Sequence, residues 1–586
     1  MRTGFKSTFV YVVLALLAFA NLHAEGSEEN KILSRIHSLF IIKDPHLALK
    51  ECEEGLRLNP GSLEIRKNYV RALAETGNEF QAIKEWKELS PLILNPKEKE
   101  SIHETLAWGV LLQGKNSSQT VMKNFSLLGA FFTQDAKAVD MILTAMRGSN
   151  AMHRALAVRL AGQYGDSVLK EEVIYLLKQE KIHFVRIEVI KAVGALKIKE
   201  AGEYLKSLLY DKKASAEEKV FAIQSLAALY DQMESREILE LLKNKRAGFR
   251  MLGAEVIARM HLKEYLPLLI KKLEAEPIAD ARMSYLNVIG LLGPQQLAEE
   301  ECKVIALLCA DPHPYVAITA AWVAMQAKLD IGYKVLKEKI QSEDPKIRRF
   351  ASAVIAFTGK KGLPLILESL EISEDPYVQA NLCYSLILLR EQADRACRRL
   401  FQFLEETDKT LIMLDRQHNP LFGILSPSEV NYVPHIPNLP ALVDGMTRLS
   451  LINALAMIDP GKATEAAKYF LGKSLWGLTA TAAVMLLEEG EMQSLEVIKK
   501  LLQEKDEKVR LQAALALAFI GGDESAVKIL ENSYYHVGRE IKLHILEAVG
   551  RIGCKDSIPF LLRILEEPFQ SLRIAAASAL IQSIYH

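Results

Sequence analysis

The chain is predicted to be all-α, a right-handed α-α superhelical solenoid of stacked helical pairs. Three observations predict it. A basic residue recurs every 31 to 33 residues, at Arg154, Arg186, Lys219, Arg250 and Arg282, and again at Arg510, Lys542 and Arg573. Apolar or small side chains follow most of these rungs at positions three, four, six and seven. A small residue then stands at position eight: Gly162, Gly194, Ala227, Ala258, Gly290, Ala518 and Gly550. Self-similarity at such a period is the mark of a solenoid, in which each unit packs only on its neighbours and the core grows in one dimension.

Residues 1–24 read as a secretory signal. Arg2 and Lys6 open it, Phe9 to Ala20 form an uncharged apolar run, and Ala24 precedes the expected cut. The run is short for a membrane span. Leu22 stands where a small residue is preferred, so a membrane association through an uncleaved signal stays open. The chain is read as exported, periplasmic or secreted.

Residues 25–97 follow a 34-residue period. Ala48 and Ala82 are 34 apart, Leu58, Asn59 and Pro60 end the first unit, and the next carries Tyr69, Leu73, Gly77, Ala82 and Trp86. This segment resembles the tetratricopeptide repeat, which implies helical pairs capping the array. Connecting helices are expected over 98–149.

Residues 150–404 and 448–586 hold the main ladder. One unit includes Val509, Arg510, Ala513, Ala514, Ala516, Leu517, Ile520 and Gly521. Tyr315 and Gln379 replace the basic rung in two others, while Arg348 and Arg448 keep it. The pattern resembles HEAT repeats of the armadillo-type fold, most closely the short units of phycobilisome lyases. That resemblance implies a basic rung bonded to an acidic residue of its own or a neighbouring unit, with Asp344–Arg348 and Asp506–Arg510 in the right relation. Asp311-Pro312, Asp344-Pro345 and Asp375-Pro376 are read as a capping carboxylate followed by Pro at the first helical position. Two helices per unit are expected to cross at the small column. No obviously polar helix caps the C-terminal end.

The ladder breaks over 405–447, a helix remnant followed by a proline-rich insertion. Pro420, Pro427, Pro434, Pro437 and Pro440 fall close together, and proline at that density stops helix and resists sheet. Residues 415–442 are read as a long loop leaving the solenoid. Its Asp415, Arg416, His418, Asn419, Phe422, Tyr432 and His435 make it a candidate partner-binding arm. Tyr534 and Tyr535 are a candidate exposed aromatic pair. Trp108, Trp322 and Trp476 are assigned to the core.

Composition narrows the function. The 73 basic and 73 acidic residues balance, and nucleic acid demands a concentrated basic surface. The short cluster Lys243, Lys245, Arg246 and Arg250 reads as a solvated helix end. Six cysteines make no disulfide framework. Buried free thiols are expected, with Cys383 and Cys397 the one pair spaced for adjacent helices. Phosphate-loop, dinucleotide, nucleophile-elbow and zinc-protease motifs are absent from the sequence, so no catalytic, cofactor or metal residues are assigned. The reading is an exported, non-enzymatic scaffold or adaptor. It binds a protein or extended peptide on its concave face, lined by second helices, and on the proline-rich loop. The alternatives are a bilin-lyase-like enzyme, implied by the repeat resemblance, and a secreted effector acting on host proteins.

Overall fold

The structure is a computed structural model, and it describes residues 28–229, 235–294, 297–406, 411–413, 425–427, 451, 455–456, 458–473, 492–520 and 523–585. The signal segment, Arg448 and Trp476 lie outside the described residues.

In chain order the first helices are α1 (Glu28–Ile41), α2 (Pro45–Leu58), α3 (Leu63–Glu75), α4 (Glu79–Leu89), α5 (Pro96–Lys115), α6 (Thr120–Phe132), α7 (Ala136–Met146) and α8 (Ala151–Tyr164). Then come α9 (Ser167–Gln179), α10 (His183–Ala195), α11 (Gly202–Tyr210), α12 (Ala216–Leu229), α13 (Ser235–Leu242), α14 (Ala247–Arg259), α15 (Leu266–Leu273) and α16 (Ala279–Leu292). These are followed by α17 (Glu299–Leu308), α18 (Pro314–Gln326), α19 (Asp330–Ile340), α20 (Pro345–Ile355), α21 (Leu363–Ile372), α22 (Pro376–Leu389) and α23 (Ala393–Glu406). Strands β1 (Leu411–Met413) and β2 (Leu425–Pro427) precede α24 (Pro460–Lys473), α25 (Met492–Leu501), α26 (Glu507–Ile520), α27 (Val527–Tyr534), α28 (Arg539–Ile552), α29 (Ile558–Ile564) and α30 (Gln570–Tyr585). They form two compact α-α solenoid units: Met1–Glu172 with Leu530–His586, and Val173–Ile529.

Within Val173–Ile529 the rung-bearing helices pack on one another in succession, α10 on α12 and α16 on α18 among them. The small column lies at these contacts. A Cβ on Gly194 would stand 2.9 Å from the Ser225 backbone, and one on Gly290 would stand 2.2 Å from the Trp322 ring. Ser225 Oγ donates across the first contact to the Ile190 carbonyl at 2.8 Å. At these positions the column therefore separates first helices of successive units, rather than the two helices of one unit as the sequence suggested. The crossing within a unit uses other small residues: Gly332 of α19 faces the Ala321 carbonyl of α18, 2.4 Å from where its Cβ would be.

The helix starts follow the expected capping, with one correction. Asp344 and Asp375 accept from the backbone N–H of Lys346 and Tyr377 at 2.8 and 2.9 Å, each with Pro at the first helical position. Asp311 does not open a helix at Pro312. Helix α18 starts two residues later, and the Asp311 carboxylate accepts from His313 N–H at 2.9 Å.

The rungs bond differently from the expectation. Each described arginine rung turns its Nη1 back onto the turn before its own helix, as Arg250 does to the Asn244 and Lys245 carbonyls at 2.9 and 3.0 Å. The same holds for Arg282 with Glu276 and Pro277, and for Arg510 with Glu504 and Lys505. The rest of the guanidinium reaches forward to a carboxylate of the next unit: Arg186 to Glu218 at 2.6 Å, Arg250 to Glu276 at 2.5 Å, Arg282 to Asp311 at 3.0 Å and Arg348 to Asp375 at 2.8 Å. Asp344 is a helix cap rather than the partner of Arg348. Asp506 likewise accepts from Lys508 N–H, while Arg510 lies 3.7 Å from Glu507. Gln379 keeps the backward half of the pattern, donating to the Ser373 carbonyl at 2.6 Å.

In the insertion, β1 and β2 pair antiparallel with Ile412 opposite Ser426, and β2 packs against α20 and α22. Sheet thus forms where the prolines were expected to resist it, with Pro427 at the ribbon's end. All six cysteines are free. Burial pushes the Cys383 thiol up to about 12 and that of Cys397 up to about 11. Pro345–Ile372 has the length and hydropathy of a membrane span. It is broken at Gly359 (φ 65°, ψ −153°), and much of it is buried in the repeat core.

The other unit joins the two ends of the described chain. Helix α30 packs against α28, α29, α5 and α6, and α6 packs in turn against α8. Ser578 Oγ of α30 donates to the Gly129 carbonyl of α6 at 2.7 Å, the same bond that Ser225 makes between two successive rung helices. Ion pairs Lys87–Glu566 (2.6 Å) and Lys555–Glu100 (3.3 Å) flank the contact. This explains the missing polar cap. Leu572, Ile574, Ala576, Ala577, Leu580 and Ile581 are buried around the whole circumference of α30 because N-terminal helices cover it.

Candidate functional site

A cleft of about 790 Å³ opens in the unit formed by the two chain ends. It is built by α1, α3, α5 and the start of α7, alternate helices of the N-terminal segment. Side chains three and four apart on α3 face it together: Glu64, Lys67, Asn68, Arg71 and Glu75. Gly109 permits this packing, since a Cβ there would lie 2.7 Å from the Ala74 carbonyl of α3. This cleft is thus lined by first helices of successive N-terminal pairs.

The cleft walls are charged but balanced. Lys67 Nζ bridges Glu64 at 2.7 Å and Glu98 at 3.0 Å. Burial alone would lower the Lys67 ammonium, and the hydrogen bonds to the two carboxylates outweigh it, so it titrates above the usual lysine range. Arg71 pairs with Glu75 at 2.7 Å while its guanidinium lies 4.0 Å over the Phe40 ring. Lys137 pairs with Glu104 and sits 5.6 Å from the Trp108 ring. Tyr585, from α30, donates to the other oxygen of Glu104 at 2.6 Å. Behind the cleft, His103 meets Trp86 edge to face at 5.2 Å. Its Nδ1 is buried without a partner, and burial, then Lys99, push the imidazole down to about 4.

Such a surface offers hydrogen bonds, fixed charges and the half-buried Phe40 ring along a groove. Among the described residues no three His, Cys, Asp or Glu side chains gather to hold a metal. The residues expected in the proline-rich arm, Asp415, Arg416, His418, Asn419, Phe422, Tyr432 and His435, lie outside the described residues. Of the aromatic pair, Tyr535 is exposed, but Tyr534 is fully buried. Tyr534 stacks edge to face on Phe560 at 5.4 Å, lies beneath Lys542 and donates to Glu567 at 3.2 Å, so its ring belongs to the packing column of α27. Trp108 and Trp322 are buried as expected. The sequence carried one signal for this region, the tetratricopeptide-like period, which set Ala48 of α2 against Ala82 of α4.

No family model and no curated protein matches the chain. Solved structures align with it over nearly its whole length at low identity. The myosin chaperone UNC-45 from C. elegans, in complex with an Hsp90 peptide, is 13% identical over 98% of this chain and 84% of its own, with a TM-score of 0.33. Kap121p is 12% identical over 98% and 79%, with a TM-score of 0.36. Kap95p with RanGDP is 12% identical over 97% and 88%, with a TM-score of 0.33.

Proposed function

We propose that the protein is a non-enzymatic interaction scaffold of short HEAT-like units. In this reading the N-terminal cleft holds an extended segment of a protein partner. The observation that carries it is the cleft itself: a groove across α1, α3 and α5 lined by hydrogen-bonding and charged side chains, with the half-buried Phe40 ring at its wall. The Arg2 and Lys6 start, the apolar run to Ala20 and Ala24 support an exported chain.

The test is site-directed photo-cross-linking in the native cell, with a cross-linking amino acid at Asn68 in the cleft or at exposed Arg236 far along the sequence. A discrete partner captured at Asn68, absent at Arg236 and lost when Lys67→Glu is added, supports the reading. The same captured set at both positions would sink it. N-terminal sequencing of the fractionated protein tests export, with Glu25 as the expected first residue.

A further inference from the structure

The forward half of the ladder has a gap. For Arg186, Arg250, Arg282 and Arg348 the carboxylate comes from one of three places before the next rung: one residue before it (Glu218), four before it (Asp311, Asp375) or six before it (Glu276). For Lys219 the next rung is Arg250, and those three places hold Phe249, Arg246 and Asn244. None carries a carboxylate. All three instead line a cleft of about 410 Å³ together with Lys219 and Lys212. Helices α12 and α14 pack less closely here than α10 on α12 or α14 on α16. Among the described residues the Lys219 ammonium has no carboxylate or hydrogen-bond partner.

The cleft also contains Glu237 and Glu240, but cations outside it already attend them. Lys206 lies 3.8 Å from Glu237, and Arg236 lies 3.3 Å from Glu240. Lys212, Lys219 and Arg246 line the cleft without an ion pair to the described chain, and these three cations outnumber its two carboxylates. Arg246 also stands at the N-cap of α14 and makes no side-chain cap bond, whereas Asp375 fills the equivalent place on α22. A cation at a helix N-terminus is unfavourable on its own, and an anion beside it would relieve both defects.

We infer that this slot takes a carboxylate supplied from outside the chain, on an acidic segment of a protein partner. The incoming group occupies the place that Glu218, Glu276, Asp311 and Asp375 fill in their own units, and Lys212 and Arg246 receive the flanking acidic residues. The inference rests on the scaffold reading only in taking the partner to be a protein. Its site is separate from the Asn68 cleft, so either can fail alone.

The test uses the full chain and a fluorescein-labelled octaglutamate peptide, read by fluorescence anisotropy at low salt. Binding should weaken about tenfold or more in Lys219→Ala, and change less than about twofold in Lys360→Ala, a cation remote in sequence. Arg246→Asp should complete the ladder from within: it should abolish peptide binding and raise Tm, with circular dichroism unchanged. Peptide binding that ignores Lys219→Ala would overturn the inference. So would an Arg246→Asp protein that binds normally, or displacement of the peptide by equimolar citrate, which would make a small anion the occupant.

Discussion

Arg573 and Glu79 stand 494 residues apart in sequence and form a buried ion pair, with Nε and Nη2 of the guanidinium 3.0 and 2.8 Å from one carboxylate oxygen. Arg573 is the last rung of the ladder. Its Nη1 turns back to the Glu567 and Pro568 carbonyls, as the other described arginine rungs do. Its forward partner comes from the start of α4, so the N-terminal repeats serve as the next unit. Burial raises the Glu79 carboxyl above the usual range, and Arg573 pulls it back only in part. Replacing one member strands the other: Arg573→Met should cost about 3–5 kcal/mol at neutral pH, measured by urea unfolding. Pairing Arg573→Met with Glu79→Leu should recover most of that loss. A double variant no better than the single one would show that the pair does not hold this contact.

The small column makes a second prediction. A Cβ on Gly550 would stand 2.9 Å from the Ala579 Cα, a backbone atom of α30 that cannot swing aside. Gly550→Ala should therefore destabilise by about 1–3 kcal/mol through overpacking. Gly248→Ala is the control: it lies inside α14 with open space around it, and should be neutral or stabilising by up to about 1 kcal/mol. Equal effects at the two sites would remove the packing explanation.

His103 predicts a pH dependence. Its folded value of about 4 lies below the unfolded value near 6.5. The unfolded chain therefore binds more protons in that interval, and stability falls as pH drops from about 6.5 to 4. At about 1.4 kcal/mol per pH unit, with relaxation reducing the full amount, the loss is on the order of 2–3 kcal/mol. His103→Gln should flatten the unfolding free energy across that window, followed by urea titration at half-unit pH steps. An unchanged slope would mean that the imidazole is not held neutral.

Glu276 acts at lower pH. Burial alone would raise its carboxyl, but hydrogen bonds from Arg250 and Ile278 N–H outweigh it and hold it below the usual glutamate range. That stabilisation is present above the unfolded value of about 4.3 and is lost as pH falls through the folded value. Glu276→Gln should thus lower stability at pH 7 by about 1–3 kcal/mol and lessen the acid loss below pH 4. Tyr534→Phe, which removes the bond to Glu567, should cost about 1 kcal/mol, whereas exposed Tyr535→Ala should stay within about 0.5 kcal/mol.

The repeat period made the helical pairs legible because a solenoid writes its packing into every unit. Columns such as Gly194, Gly290 and Gly550 repeat in register, and their chemistry admits one explanation. What they touch was less legible. A small residue announces a close neighbour without saying which helix supplies it, and the partner of Gly194 proved to be Ser225 one unit on. The forward ion pairs were hidden for a similar reason: Asp344 and Arg348 are close in sequence, while the bond runs from Arg348 to Asp375. Tyr534 looked exposed because two adjacent tyrosines near a helix end suggest surface, yet the helical period puts one of them inward. The joining of the chain's ends depends on contacts across hundreds of residues, which one unit's pattern does not encode.

That joining also sets a schedule for synthesis. Helices α5 and α6 leave the ribosome early with apolar faces shaped for α30, but Arg573 is made 494 residues after Glu79. At about 5–20 residues per second, the N-terminal helices wait roughly 25–100 seconds for their last partner. Throughout that interval the nascent chain carries an uncovered seam and a solvated carboxylate that awaits its arginine, so this contact closes only after the last helix is made.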